Sequence, residues 1–284
     1  MLDKETIDRV VTEALHEDAP TGDITSLLAI TEDATATAVL AAREPGTFSG
    51  ADVFEAAFRL TDPRITVELL KKDGDRFVPG DELARVSGPA RGILTAERIG
   101  LNFTQRMSGI ATLTATYVDA IKGTGATILD TRKTTPNLRA FERHAVVCGG
   151  GTNHRLNLST AFMAKDNHLA VLLAGGKNLT TELQRVKTEL PAGVKFEVEV
   201  DRLDQIEPVI AGGVDIIMLD NFSLADLKTG VAQVASRAVV EASGGVNLDT
   251  VRAIAETGVD VISVGALTHS ARALDLGLDV TIDA

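Results

Sequence analysis

Apolar positions recur at helical spacing near the start of the chain. Ile7, Val10, Val11, Ala14 and Leu15 form one stripe, with Lys4, Asp8, Arg9 and Glu13 off it. The turn-forming run Asp18-Ala19-Pro20-Thr21-Gly22-Asp23 ends that helix. Alternation then takes over: residues 35–43 read as a strand, and 51–60 as a short helix after Gly46 and Gly50. Ile65-Thr66-Val67-Glu68-Leu69 and Glu82-Leu83-Ala84-Arg85-Val86 alternate as strands, with turns at Asp73-Gly74-Asp75 and Pro79-Gly80-Asp81 between them. Two longer helical patterns follow. The first starts at Thr95 as N-cap with Glu97 in its first turn, and the second stops at Lys122-Gly123.

Beyond this point the rhythm changes. Strand-like runs recur at 126–131, 161–165, 195–200, 214–219, 238–242 and 260–264, and helical patterns such as Leu179 to Leu190, Leu203 to Ile210 and Leu248 to Thr257 separate most of them. Strands alternating with helices predict parallel βαβ units, closing into a barrel or lying in an open doubly wound sheet. No G-x-G-x-x-G follows a strand, so the expected architecture is α/β, an incomplete (β/α) barrel of about six strands. The boundary with the first part falls around 108–115, with no Pro/Ser-rich linker to mark it.

Charge narrows the function classes. The chain has 28 Lys+Arg against 40 Asp+Glu, a net −12, which repels nucleic acid and anionic lipid. No run approaches the roughly 18 apolar residues of a membrane span. The N-terminus is acidic from Asp3 with no apolar leader core, so a soluble, cytoplasmic protein is expected. One cysteine, Cys148, excludes an internal disulfide framework; on an apolar helical stripe it reads as a small core residue.

In a (β/α) barrel the active site forms where the strands end. Those ends carry Arg132-Lys133, Lys165, Glu199, Asp220, Ser243-Gly244-Gly245 and Gly265-Ala266, and from Lys165 onward they are 34, 21, 23 and 22 residues apart, close to one βα unit each. Between Thr131 and His168 six basic residues (Arg132, Lys133, Arg139, Arg143, Arg155, Lys165) face two acids (Glu142, Asp166), a net of +4 that includes three histidines, His144, His154 and His168. A cationic island on an acidic chain points to a small, highly charged anion; a solvated helix face fits Arg143 and Arg139 but not cations that end apolar strands. Thr135 and Pro136 read as cap and first residue of the next helix, which would set Arg132 and Lys133 beside its N-terminus. Gly149-Gly150-Gly151 reads as that helix's flexible exit. The glycines after the last two strands suit a phosphate. Glu199 and Asp220 suit either a hard divalent cation or ion pairs with the basic residues, and Glu197 shares the face of Glu199. A strand-end lysine such as Lys165 also fits Schiff-base chemistry, and a sensor of an anionic metabolite fits the same charges.

Several segments closely resemble the quinolinate phosphoribosyltransferase family: 130–158 (DTRKTTPNLRAFERHAVVCGGGTNHRLNL), 162–168 (FMAKDNH), 196–201 (FEVEVD), 217–222 (IMLDNF), 241–246 (EASGGV) and 263–270 (SVGALTHS). The likeness extends through 17–25 (EDAPTGDIT), 43–50 (REPGTFSG) and 94–112 (LTAERIGLNFTQRMSGIAT). Where the family commonly has a glycine after the proline, this chain has Asn137. The resemblance implies an N-terminal α/β sandwich domain over 1–110, with the 271–284 tail able to pack back on it, and an open barrel domain over 111–270. It implies transfer of phosphoribose from phosphoribosyl pyrophosphate to quinolinate with decarboxylation, in NAD biosynthesis. A homodimer is implied, with Arg98 reaching into the partner's site. Arg132, His154, Arg155 and Lys165 would then hold quinolinate, with Thr131 and Lys133 close by. Glu199 and Asp220 would serve the ribose hydroxyls and Mg2+, and Ser243, Gly244, Gly245, Val264, Gly265 and Ala266 the 5-phosphate. Lys133, Lys165, Glu199 and Asp220 would be the catalytic set.

Overall fold

The computed structural model describes residues 2–283, which gather into two compact units. The first holds the chain up to Ala115, Thr134–Gly150 and the segment from Ser270; the second holds Thr116–Lys133 and Gly151–His269.

The first unit opens with helix α1 (Lys4–Asp18), capped by Asp3, whose Oδ1 accepts the Thr6 N–H at 2.7 Å. Helix α2 (Ile24–Ala29) is capped in the same way by Asp23. Strand β1 (Thr35–Ala42) and the two-residue β2 (Gly46–Thr47) lead to α3 (Ala51–Thr61). Strands β3 (Thr66–Leu69), β4 (Arg76–Phe77) and β5 (Glu82–Pro89) then precede α4 (Ala90–Ala120). The antiparallel sheet runs β12-β1-β5-β3, where β12 is the last strand, Leu276–Asp283. Ala36, Ala38 and Leu40 of β1 point into the core in alternation, the half-buried pattern of an antiparallel strand. The stripe Ile7, Val10, Val11 of α1 is buried, and α1 packs on α3. Within α3, Phe54 and Phe58 meet at a tilt of 58° with ring centroids 4.8 Å apart, and a side chain at Gly100 would come within 3.2 Å of both rings.

The second unit is a parallel sheet. Its strands are β6 (Thr127–Leu129), β7 (Ala161–Ala164), β8 (Lys195–Val200), β9 (Ile216–Asp220), β10 (Val239–Ser243) and β11 (Val261–Ser263). The spatial order is β6-β11-β10-β9-β8-β7, so chain order is cyclic and the barrel is open between β6 and β7. Thr152 adds one parallel bridge to Leu129 beside that opening. Helices α6 (Asp166–Leu172), α7 (Leu179–Glu189), α8 (Ile206–Ala211), α9 (Leu224–Val234) and α10 (Val251–Ala255) connect the strands and α11 (Ala266–His269) follows β11, while α5 (Arg139–Cys148) belongs to the first unit. The six apolar runs become the six barrel strands because parallel strands are covered on both faces. Among the described residues no helix is long and apolar enough to cross a membrane.

Four expectations are corrected. Helix α4 is one uninterrupted element that begins at Ala90, and the Thr95 hydroxyl donates to Arg91 O inside it at 2.9 Å. Helix α5 begins at Arg139, so Thr135 is not its cap; Thr135 N and Oγ1 donate to the buried Glu142 at 3.1 and 2.8 Å. Gly149 is a tight packing point rather than a loose exit, since a Cβ there would lie 2.6 Å from Thr114 Cβ. Cys148 is half-buried beside Asp73 and His144, not in the core.

Candidate active site

The parallel register brings the strand ends level, with Ser243 beside Asp220 and Glu199 beside Met218. A cavity of about 480 Å3 opens there. Thr131, Arg132 and Lys133 enter it from β6, His154 and Arg155 from the segment before β7, and Lys165, Glu199, Asp220 and Ser243 from the next four strand ends. Met163, Met218, Glu241 and Ser263 complete the lining.

Local contacts fix these side chains. The Thr131 hydroxyl accepts the Lys133 N–H at 3.2 Å, and the Lys133 carbonyl accepts from Thr268 Oγ1 at 2.7 Å. Asp130, fully buried, accepts the His154 N–H at 2.6 Å. The Arg155 guanidinium donates to Ala161 O at 3.2 Å. Lys165 pairs with Glu199, which engages the amine a Schiff base would need. Asp220 accepts from Asn221 Nδ2 at 2.6 Å. Burial, and then the neighbouring Arg132, hold Arg155 below the usual guanidinium range. Two guanidiniums this close repel, and a multiply charged anion between them relieves that repulsion.

Below the cations lies a buried trio. His154 Nε2 stands 3.4 Å from an oxygen of Glu197 and 3.4 Å from one of Glu241, each carboxylate only 1% exposed. Ser263 Oγ donates to the other oxygen of Glu241. Burial pushes Glu197 above the usual carboxylate range, and the charge of Glu241 adds to it. Burial pushes His154 down, but the two carboxylates outweigh it and raise it to about 10. The Arg155 backbone N–H lies 2.6 Å from Nδ1, on the side of the ring away from the two carboxylates that face Nε2.

Nine of the sequence-derived residues therefore meet in one cavity: Thr131, Arg132, Lys133, His154, Arg155, Lys165, Glu199, Asp220 and Ser243. Gly244, Gly245, Val264, Gly265 and Ala266 follow the strand ends but do not line it. Gly244 takes φ +93° and packs so close that a Cβ would sit 2.8 Å from Asn221 N, and a Cβ at Gly265 would meet Lys133 Cδ at 3.1 Å. Arg98 is exposed on α4 of the first unit. Glu241 escaped the sequence reading because it lies inside an apolar strand. Its spacing of two from Ser243, like that of Glu197 from Glu199, was the available signal.

An open (β/α) barrel whose strand ends present clustered cations and paired carboxylates defines an enzyme class that handles small polyanions. Two family models match in sequence: quinolinate phosphoribosyl transferase, N-terminal domain, over residues 23–108, and the C-terminal domain over 110–279. The chain belongs to the quinolinate phosphoribosyl transferase family. The nicotinate-nucleotide pyrophosphorylase (carboxylating) of Mycobacterium leprae is 41% identical over 278 residues, spanning 95% of each chain. The probable nicotinate-nucleotide pyrophosphorylase (carboxylating) of Bacillus subtilis is 39% identical, spanning 94% of this chain and 90% of that one. The crystal structure of NadC from Streptococcus pyogenes superposes with a TM-score of 0.94 at 39% identity, covering 100% of this chain and 99% of that one.

Proposed function

We propose that this chain transfers the phosphoribosyl group of phosphoribosyl pyrophosphate to quinolinate with loss of carbon dioxide, giving nicotinate mononucleotide and pyrophosphate. The observation that carries this reading is the convergence of Arg132, Lys133, Arg155 and Lys165 on one cavity whose other strands supply Glu199 and Asp220. Quinolinate carries two carboxylates and the donor a pyrophosphate and a phosphate, together on the order of six or seven negative charges. The cations bind and orient both ligands so that the pyridine nitrogen faces the anomeric carbon as pyrophosphate departs. Their charge is aimed at the leaving group and the oxocarbenium-like state is left beside the carboxylates, which stabilises charge where it develops. Once the ring nitrogen is alkylated, the adjacent carbon–carboxylate bond breaks, its electron pair stays on the ring carbon, and a proton takes the place of carbon dioxide.

Glu199 and Asp220 are hard oxygen donors on adjacent strands at the cavity wall, a donor set that fits magnesium. Bound there with the donor, the ion would neutralise pyrophosphate charge. The turns at Ser243–Gly245 and Val264–Ala266 are assigned to the 5-phosphate; the left-handed turn of Gly244 and Gly245 at the end of β10 supports this, since backbone turns of that kind can offer N–H groups to an anion. Residues 1–110 are taken as the N-terminal domain and 111–270 as the transferase domain, a division supported by the two family matches, which meet between 108 and 110. A homodimer, with Arg98 of the partner subunit completing each site, belongs to the same reading; the exposure of Arg98 supports it.

The test is direct. Protein incubated with magnesium, phosphoribosyl pyrophosphate and quinolinate labelled in the carboxylate beside the ring nitrogen should release labelled carbon dioxide and pyrophosphate in equal amounts. Absence of pyrophosphate, or equal turnover of nicotinate in place of quinolinate, overturns the assignment.

A further inference from the structure

Outside the barrel cavity, a second polar cluster forms within the first unit. His144 and Cys148 stand four residues apart on α5 and so share one face. Asp73, in the turn between β3 and β4, meets them. Its Oδ1 accepts the N–H groups of Gly50 and Ala51 at 2.9 and 3.0 Å, while Oδ2 lies 2.5 Å from His144 Nε2. One ligating atom from each of Asp73, His144 and Cys148 falls within 4.8 Å of the others.

We propose that Asp73, His144 and Cys148 form a binding site for a divalent first-row transition ion of the zinc type, separate from the reaction cavity. The donor set selects the ion: a thiolate with an imidazole suits zinc, cobalt or nickel, whereas magnesium and calcium prefer oxygen alone. Zinc–ligand bonds of about 2.0–2.3 Å place ligating atoms roughly 3–4 Å apart. The three ligating atoms already lie within 4.8 Å of one another, so binding needs shifts of about an ångström, the Asp73–His144 contact opening from 2.5 Å. Asp73 is aimed by its other oxygen, which two backbone N–H groups hold, the outer-shell support that ligating carboxylates receive in metal sites. The side chains of Asp73 and His144 are 24% and 23% exposed and Cys148 is half-buried, so an ion can enter and water can take a fourth position. On binding, the ion replaces the proton between His144 and Asp73 and the thiol proton of Cys148, and both leave to solvent. None of these residues serves the transfer reaction, so the site stands or falls independently of it.

Cobalt(II) titration of the full chain provides the test. Cys148 is the sole cysteine, so thiolate-to-cobalt charge-transfer absorption in the near ultraviolet reports on this site alone. The expected result is absorption that saturates at one ion per chain, is displaced by zinc, and is lost in C148S and H144Q with unchanged far-ultraviolet circular dichroism. In the unsubstituted protein, zinc should also slow alkylation of Cys148 by iodoacetamide, a readout that needs no variant to fold. Absence of the absorption from the folded protein, its survival in H144Q, or alkylation unaffected by zinc overturns the proposal.

Discussion

Asn137 adopts φ +66°, the left-handed region, in the turn where Leu138 N bonds to Thr135 O at 3.1 Å. Asparagine tolerates that conformation and glycine adopts it freely. Asn137→Gly should leave the denaturation midpoint nearly unchanged, whereas Asn137→Val should cost about 1–2 kcal/mol, since a β-branched side chain there meets the backbone. An equal loss in both variants would remove the conformational account. In the cavity the consequence of a substitution is chemical rather than conformational. Arg132→Ala and Lys165→Ala each remove one cation from a multiply charged site and should lower kcat/KM about 100-fold or more with circular dichroism unchanged. Near-normal turnover in either variant would take that residue out of the site.

Strand β12 lies along β1 from Ala42↔Leu276 to Thr35↔Asp283, and a polar clasp fixes its entry. The Arg272 guanidinium pairs with both oxygens of Glu44, the Asp275 N–H donates to Glu44 at 2.7 Å, and the Arg43 N–H donates to Asp275 O at 3.0 Å. Arg272, then the Asp275 N–H, hold the Glu44 carboxyl down from the ordinary 4.5 to about 2. A carboxylate depressed in the folded state contributes stability above its unfolded value and loses it as pH falls through the folded one. Urea midpoints measured from pH 6 down to pH 2 should therefore fall more steeply in the unsubstituted protein than in Glu44→Gln, with the difference confined to the window between 4.5 and 2. Identical slopes would show the clasp to be energetically silent. Legibility differed from element to element for physical reasons. Barrel strands announce themselves because both faces are buried, leaving apolar runs bounded by turn residues. Strand β12 alternates Leu276, Leu278 and Val280 with residues that face water, a weaker signal that ends in exposed positions. Helix α4 carries Gly100, Thr104, Ser108 and Gly109, poor helix formers, within it. In the fold, Thr104 and Thr114 hydroxyls donate to carbonyls of their own helix at 2.8 Å, and the missing side chain of Gly100 makes room for Phe54 and Phe58. The strand-end cations were legible because parallel register alone levels them. Glu197 and Glu241 were not resolved because the spacing of two fixes a shared face, not how deep in the barrel each residue sits.

For the whole molecule, the net charge of −12 and the cationic cavity pull in opposite senses, so affinity for a polyanion depends on how many cations are assembled at the mouth at once. If Arg98 of the partner subunit is one of them, the unit of function is the dimer. Arg98→Ala then keeps an intact barrel cavity but delivers no arginine, while Lys165→Ala delivers the arginine but has a damaged cavity. Each variant alone should be inactive. Unfolded together in equal amounts and refolded, half of the dimers would carry one of each chain, and each such dimer would hold one site with both groups intact and one with neither. Two-fold symmetry then sets the expected recovery at about a quarter of the unsubstituted activity. A site built within a single chain gives no more than the sum of the two inactive parents at any mixing ratio, so titrating one variant against the other separates the two arrangements. A shared site requires activity to peak at equal amounts and to fall toward zero at either end.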